Sequence, residues 1–102
     1  MHYAIICSDA PGSAEKRTAL MQAHLQHIEH ILASGDTLSL AGPLRDHTGA
    51  VTGSLLVVDV ADAEAARHFI EQDPYHAAGI WREIRIETFS PAAGSWVGGR
   101  NW

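Results

Sequence analysis

At 102 residues, 46% of them apolar and with a formal net charge of -5, the chain has room for one hydrophobic core and none for a second domain. Its seven Lys and Arg are scattered from Lys16 to Arg100, which argues against nucleic acid as a partner. No apolar run nears the roughly 20 residues of a membrane helix, and no basic segment precedes the apolar start, so a cytoplasmic protein with no membrane partner is expected. The lone Cys7 excludes an internal disulfide and a cysteine-based four-ligand zinc site.

His2 to Ser8 reads as a central strand with apolar groups on both faces, Tyr3, Ile5 and Cys7 alternating with Ala4 and Ile6. Asp9-Ala10-Pro11-Gly12-Ser13 is turn chemistry, with Ser13 the expected N-cap of a helix that runs to about Ser34 and ends at Gly35. At about 100° per residue, Leu20, Met21, Leu25, Ile28, Ile31 and Leu32 gather into one apolar arc of that helix. Arg17 and His24 fall inside the same arc, while His27 and His30 drift toward solvent. Two readings of the intruders are open: a snorkelling arginine and a satisfied core histidine, or a functional pair of side chains.

Leu38 to Leu44 reads as a second strand that stops at Gly42-Pro43, and Ser54 to Val60 as a third that pairs with it. The third strand is apolar on both faces. Two helices can cover only one face of a four-stranded sheet, so a second copy of the chain is expected on the other, giving a homodimer and leaving room for a higher oligomer. Asp62 caps a second helix with Ala66, Phe69 and Ile70 on its inner stripe, and Asp73 continues that stripe where Pro74 ends the helix. Arg82 to Phe89 closes the sheet as an edge strand, with Ile84 and Ile86 inward. The tail, residues 90–102, has no periodicity but carries Trp96 and Trp102, which fits either an arm docked over a groove or partner, or a disordered end. The expected architecture is thus an α+β, ferredoxin-like βαββαβ unit with a four-stranded antiparallel sheet, a single domain with its core in residues 1–89 and a C-terminal tail.

His24 and Asp73 are the strongest candidates for chemistry. Each lies on the sheet-facing side of its own helix, and in a βαββαβ chain both helices lie on one sheet face, so the two can meet. An imidazole held by a carboxylate is suited to proton transfer near neutral pH. Asp73 can equally be the cap of the turn from Pro74 to Gly79. His24, His27 and His30 cannot all bind one ion at their spacing, and no acidic cluster completes a site, so no metal is expected. Cys7 and Ser54 lack the partners of a nucleophile, although the Ser54 hydroxyl can position a ligand.

Glu15-Lys16-Arg17, His24-Leu25, Gly35, Ala41-Gly42-Pro43, Gly53-Ser54, Asp73-Pro74-Tyr75 and Ala78-Gly79, in that order, resemble the YciI-like (YCII-related) family of the dimeric α/β-barrel type. The resemblance implies that His24 and Asp73 form an active-site dyad. It also implies chemistry like that of a relative that is a dehydrochlorinase of a chlorinated hydroxyquinol, or of the lactone isomerases and monooxygenases of the wider group, which act without metal on small ring compounds. Many relatives carry an arginine where this chain has Met21, which removes one guanidinium that could hold an anionic substrate. The expectation is an enzyme without cofactor in which His24 is the base and Asp73 its orienter. Arg17 would stabilise negative charge, Ser54, Pro43 and Tyr75 would contact the small-molecule ligand, and Met21, Phe69 and Trp81 would line its pocket. The alternative is a dimer that binds a small molecule or a regulatory partner without turning it over.

Overall fold

A computed structural model describes residues 1–101. The elements follow the order β1 (His2–Asp9), α1 (Ala14–Ser34), β2 (Leu38–Arg45), β3 (Val51–Asp59), α2 (Ala63–Glu71), α3 (Pro74–Ala77) and β4 (Trp81–Thr88). The four long strands form one antiparallel sheet in the order β2-β3-β1-β4. The βαββαβ order and the central and edge positions of β1 and β4 agree with the sequence. Trp102 lies outside the described residues.

The register sets which side chains share a face, because residues directly opposite on antiparallel strands project to the same side. Tyr3, Ile5 and Cys7 lie opposite Val58, Leu56 and Ser54. All of these are buried, and with Ala66, Ile70, Tyr75, Ile80 and Trp81 they make the core beneath the helices. Near the Ser54 end β3 and β1 approach so closely that a Cβ on Gly53 would collide with the Cys7 carbonyl oxygen. Glycine is therefore dictated there by backbone contact.

Three local expectations are corrected. Strand β2 does not stop at Gly42-Pro43 but continues to Arg45, with Pro43 opposite Ser54. As an edge strand, β2 can carry a proline whose missing N–H costs the ladder nothing on its outer side. Ser13 precedes α1 without capping it: its hydroxyl lies 2.6 Å from the Ala10 carbonyl and 3.1 Å from that of Ile80, so it ties the turn to the start of β4. The apolar arc of α1 is only partly inward. Leu20, Ile28 and Ile31 pack against the core, whereas Met21, Leu25 and Leu32 are exposed. His27 is half-buried beside Ile31, not in solvent. Gly35 ends α1 at φ 147°, a conformation that favours glycine.

Residues 93–100 of the tail form a hairpin. β5 (Ala93–Gly94) pairs with β6 (Gly99–Arg100) around a single 3₁₀ turn, and Asn101 closes its base by bonding the carbonyls of Pro91 and Ala92. Between hairpin and sheet lies a cavity of about 640 Å³ lined by Leu40, Leu55, Val57, Phe89 and Trp96. Its sheet residues Leu55 and Val57 lie on the face away from the helices.

Candidate functional site

Helix α1 lays Arg17 and His24 along one line, and the turn Asp73-Pro74-Tyr75 meets them from below. Pro74 occupies the first position of α3 and Asp73 is its N-cap, with Asp73 Oδ1 accepting the Tyr75 N–H at 2.9 Å. The same Oδ1 stands 3.0 Å from His24 Nδ1. A single oxygen therefore caps the turn and contacts the imidazole. The carboxylate is 3% exposed and the imidazole 20%, so the pair sits at the floor of the surface with the ring reaching solvent.

Asp9, read from the sequence as part of a turn, is the residue that was missed. It ends β1 on the face of Tyr3, Ile5 and Cys7, and alternation along that strand was the available signal. Arg17 donates to it twice, Nε to Oδ2 at 2.7 Å and Nη2 to Oδ1 at 2.8 Å, and Nη2 also donates to Ser54 Oγ at 2.9 Å. Burial works against charging Arg17, and the bidentate Asp9 carboxylate outweighs it and holds the guanidinium protonated. The snorkelling reading of Arg17 fails, since its side chain is 10% exposed. Its charge is already committed to Asp9.

Tyr75 connects the two halves of the site. Its ring stacks on His24 with centroids 4.1 Å apart and planes 4° from parallel, while the Arg17 guanidinium carbon lies 5.1 Å from its centroid. Trp81 meets it edge-on at 5.9 Å. Burial raises the Tyr75 phenol above its ordinary range, with the neighbouring Asp73 and Asp9 adding to the effect against Arg17, so the hydroxyl stays neutral. At 1% exposed, Tyr75 offers a ligand almost no surface, contrary to the contact expected of it. Burial likewise pushes the Cys7 thiol up to about 12, which agrees with its lack of nucleophilic character.

Pro43 and Ala41 share the helix-covered face with Ser54 and Leu56, yet both are exposed. Helix α1 thus leaves the β2 edge open on the side where Ser54 and Arg17 lie. Of the three apolar residues expected to line a pocket, Phe69 faces a separate groove between α1 and α2 with Ile31 and His68, Trp81 is buried in the core, and Met21 is exposed on α1 with its sulfur 3.7 Å from the Tyr75 hydroxyl. Among the described residues no three His, Cys, Asp or Glu side chains converge to hold a metal ion, and no helix is long and apolar enough to cross a membrane.

A ferredoxin-like α+β unit with an imidazole–carboxylate pair between its first helix and an Asp-Pro turn defines the class of protein. The pattern of the YCII-related domain matches residues 1–90, and the chain belongs to that family. It is similar to protein YciI of Escherichia coli, 33% identical over 95 residues that cover 87% of this chain and 96% of the relative. An uncharacterised protein of Haemophilus influenzae is 30% identical over the same shares of the two chains. Among solved structures it resembles the 5-chloro-2-hydroxyhydroquinone dehydrochlorinase of Burkholderia phenoliruptrix in complex with 2,5-dihydroxybenzoquinone. That match has a TM-score of 0.77 and 28% identity and covers 93% of this chain and 97% of the other.

Proposed function

We propose that the protein is an acid/base enzyme of the lyase or isomerase type, dehydrochlorination included, that acts on a small cyclic or aromatic compound without a metal or cofactor. The observation that carries the proposal is the 3.0 Å contact between His24 Nδ1 and the buried Asp73 carboxylate. An ionised carboxylate only accepts hydrogen bonds, so in this reading the imidazole carries its proton on Nδ1 and keeps on Nε2 the lone pair of a general base. In a dehydrochlorination that base takes one proton, the electron pair left behind forms a double bond, and chloride departs with the C–Cl pair. Support for a ring substrate comes from the similar dehydrochlorinase and its quinone ligand.

In this reading the substrate enters at the open β2 edge, with Pro43 as its apolar rim and Ser54 and Arg17 as its polar floor. Arg17 acts through its field, shared with Asp9, which suits a neutral ring better than a strongly anionic one. The catalytic unit is residues 1–89, and residues 90–102 are an appended arm. A second copy pairs with it through the sheet face away from the helices, where Ala4, Ile6 and Leu55 are half-buried. The protein works in the cytoplasm.

The test is chloride release from 5-chloro-2-hydroxyhydroquinone. Wild type is expected to release chloride, and His24→Ala to slow release by roughly 10²–10⁴-fold while fold and dimer persist. A second reading, a binding dimer without turnover, is favoured by one observation: the cavities under the tail, between α1 and α2, and beside the Asp9 turn are not lined by His24 or Asp73. Thermal stabilisation by 2,5-dihydroxybenzoquinone that survives His24→Ala, with no chloride released by wild type, would select it.

A further inference from the structure

We infer that Tyr75 is a positioning residue that fixes the plane of the His24 imidazole through its ring face, its own ring also meeting the Arg17 guanidinium. The inference rests on the reading of His24 as the base. Arg17 and His24 lie seven residues apart on α1, a rise of about 10.5 Å along the helix. The Tyr75 centroid lies 4.1 Å from the His24 ring centroid and 5.1 Å from the Arg17 guanidinium carbon. One ring thus contacts both polar side chains that α1 sends toward the Asp-Pro turn, stacking flat on the imidazole.

A single hydrogen bond does not orient an imidazole. The torsion that turns a histidine ring is broad, and a flip would exchange Nδ1 for a carbon at the Asp73 oxygen. The Asp73 contact fixes one atom of the ring, and a parallel face 4° out of plane fixes the rest, so that Nε2 points one way. One turn delivers both constraints. Asp73 Oδ1 accepts the Tyr75 backbone N–H, so carboxylate and stacking plane move as a unit. The Tyr75 hydroxyl contributes less, because its nearest partner, the Arg17 carbonyl, is 3.4 Å away.

The experiment is ¹⁵N and ¹H NMR of the His24 ring in the full-length chain, above the pH at which the imidazole is charged. In wild type the His24 ring protons are expected upfield, under the Tyr75 ring current, with the proton on Nδ1. Tyr75→Phe should keep both signatures. Tyr75→Leu should lose the upfield shift and show the His24 ring averaging over several orientations, with the proton still on Nδ1 because Asp73 is intact. Absence of the upfield shift in wild type overturns the inference, as does a lost shift in Tyr75→Phe or an unchanged, single ring orientation in folded Tyr75→Leu. Should Tyr75→Leu fail to fold, wild type and Tyr75→Phe still decide. Turnover lost in Tyr75→Leu and rescued in Tyr75→Phe is expected. Turnover absent from wild type with the ring signatures present would count against the enzymatic reading alone.

Discussion

Removing Asp9 tests how the buried charge at this site is balanced. In Asp9→Ala the Arg17 guanidinium, whose side chain is only 10% exposed in the wild type, loses both short hydrogen bonds to carboxylate. Breaking a buried pair from one side costs about 3–5 kcal/mol, because the partner charge is left uncompensated. A domain of this size has roughly 5–15 kcal/mol in all, so the variant should lie at the edge of folding, with Tm lower by some tens of degrees. Replacing both partners by apolar groups in Asp9→Leu/Arg17→Met removes the stranded charge and should recover part of the loss, leaving only the Ser54 hydroxyl short of a donor. Urea unfolding of Asp9→Leu, Arg17→Met and the double variant measures the coupling directly. A loss under about 1 kcal/mol in Asp9→Ala, or a double variant no more stable than Asp9→Ala, would refute the buried pair. Arg17 would then be free to take an anionic substrate.

Three further outcomes follow from the same geometry. Burial pushes the Cys7 thiol in the folded chain from its ordinary value of 9.0 up to about 12, so above pH 9 the unfolded state binds fewer protons and stability falls as pH rises. Between pH 9 and 10 the loss should be about 1 kcal/mol by chemical denaturation, and Cys7→Ala should flatten that slope. Gly53→Ala drives a methyl into the Cys7 carbonyl and should cost roughly 1–3 kcal/mol, read as a lower urea midpoint. Trp96→Ala, at a residue 85% exposed, should stay within about 0.5 kcal/mol of wild type by the same measurement.

The element order was legible because each boundary carries local chemistry: Gly35 after α1, Asp62 before α2, Asp-Pro before α3. Gly42-Pro43 misled because proline breaks a ladder only where its missing N–H has a partner, and the edge position of β2 is a property of the sheet, not of the dipeptide. Arg17 and His24 were visible as polar residues on an apolar arc, and the structure brings His24 to Asp73. Asp9 was hidden behind the Asp-Ala-Pro-Gly turn signal although its parity along β1 matched Cys7. The Tyr75 stack had no sequence signature, since it depends on how a four-residue helix is set against α1.

The most direct measurement is the tautomer of His24 in the wild-type protein, read from its ¹⁵N imidazole shifts once the ring is neutral. A base oriented by Asp73 predicts a protonated Nδ1 and a bare Nε2. A proton on Nε2 would contradict the account, because the ring would then have no donor for the Asp73 carboxylate and no free lone pair for a substrate.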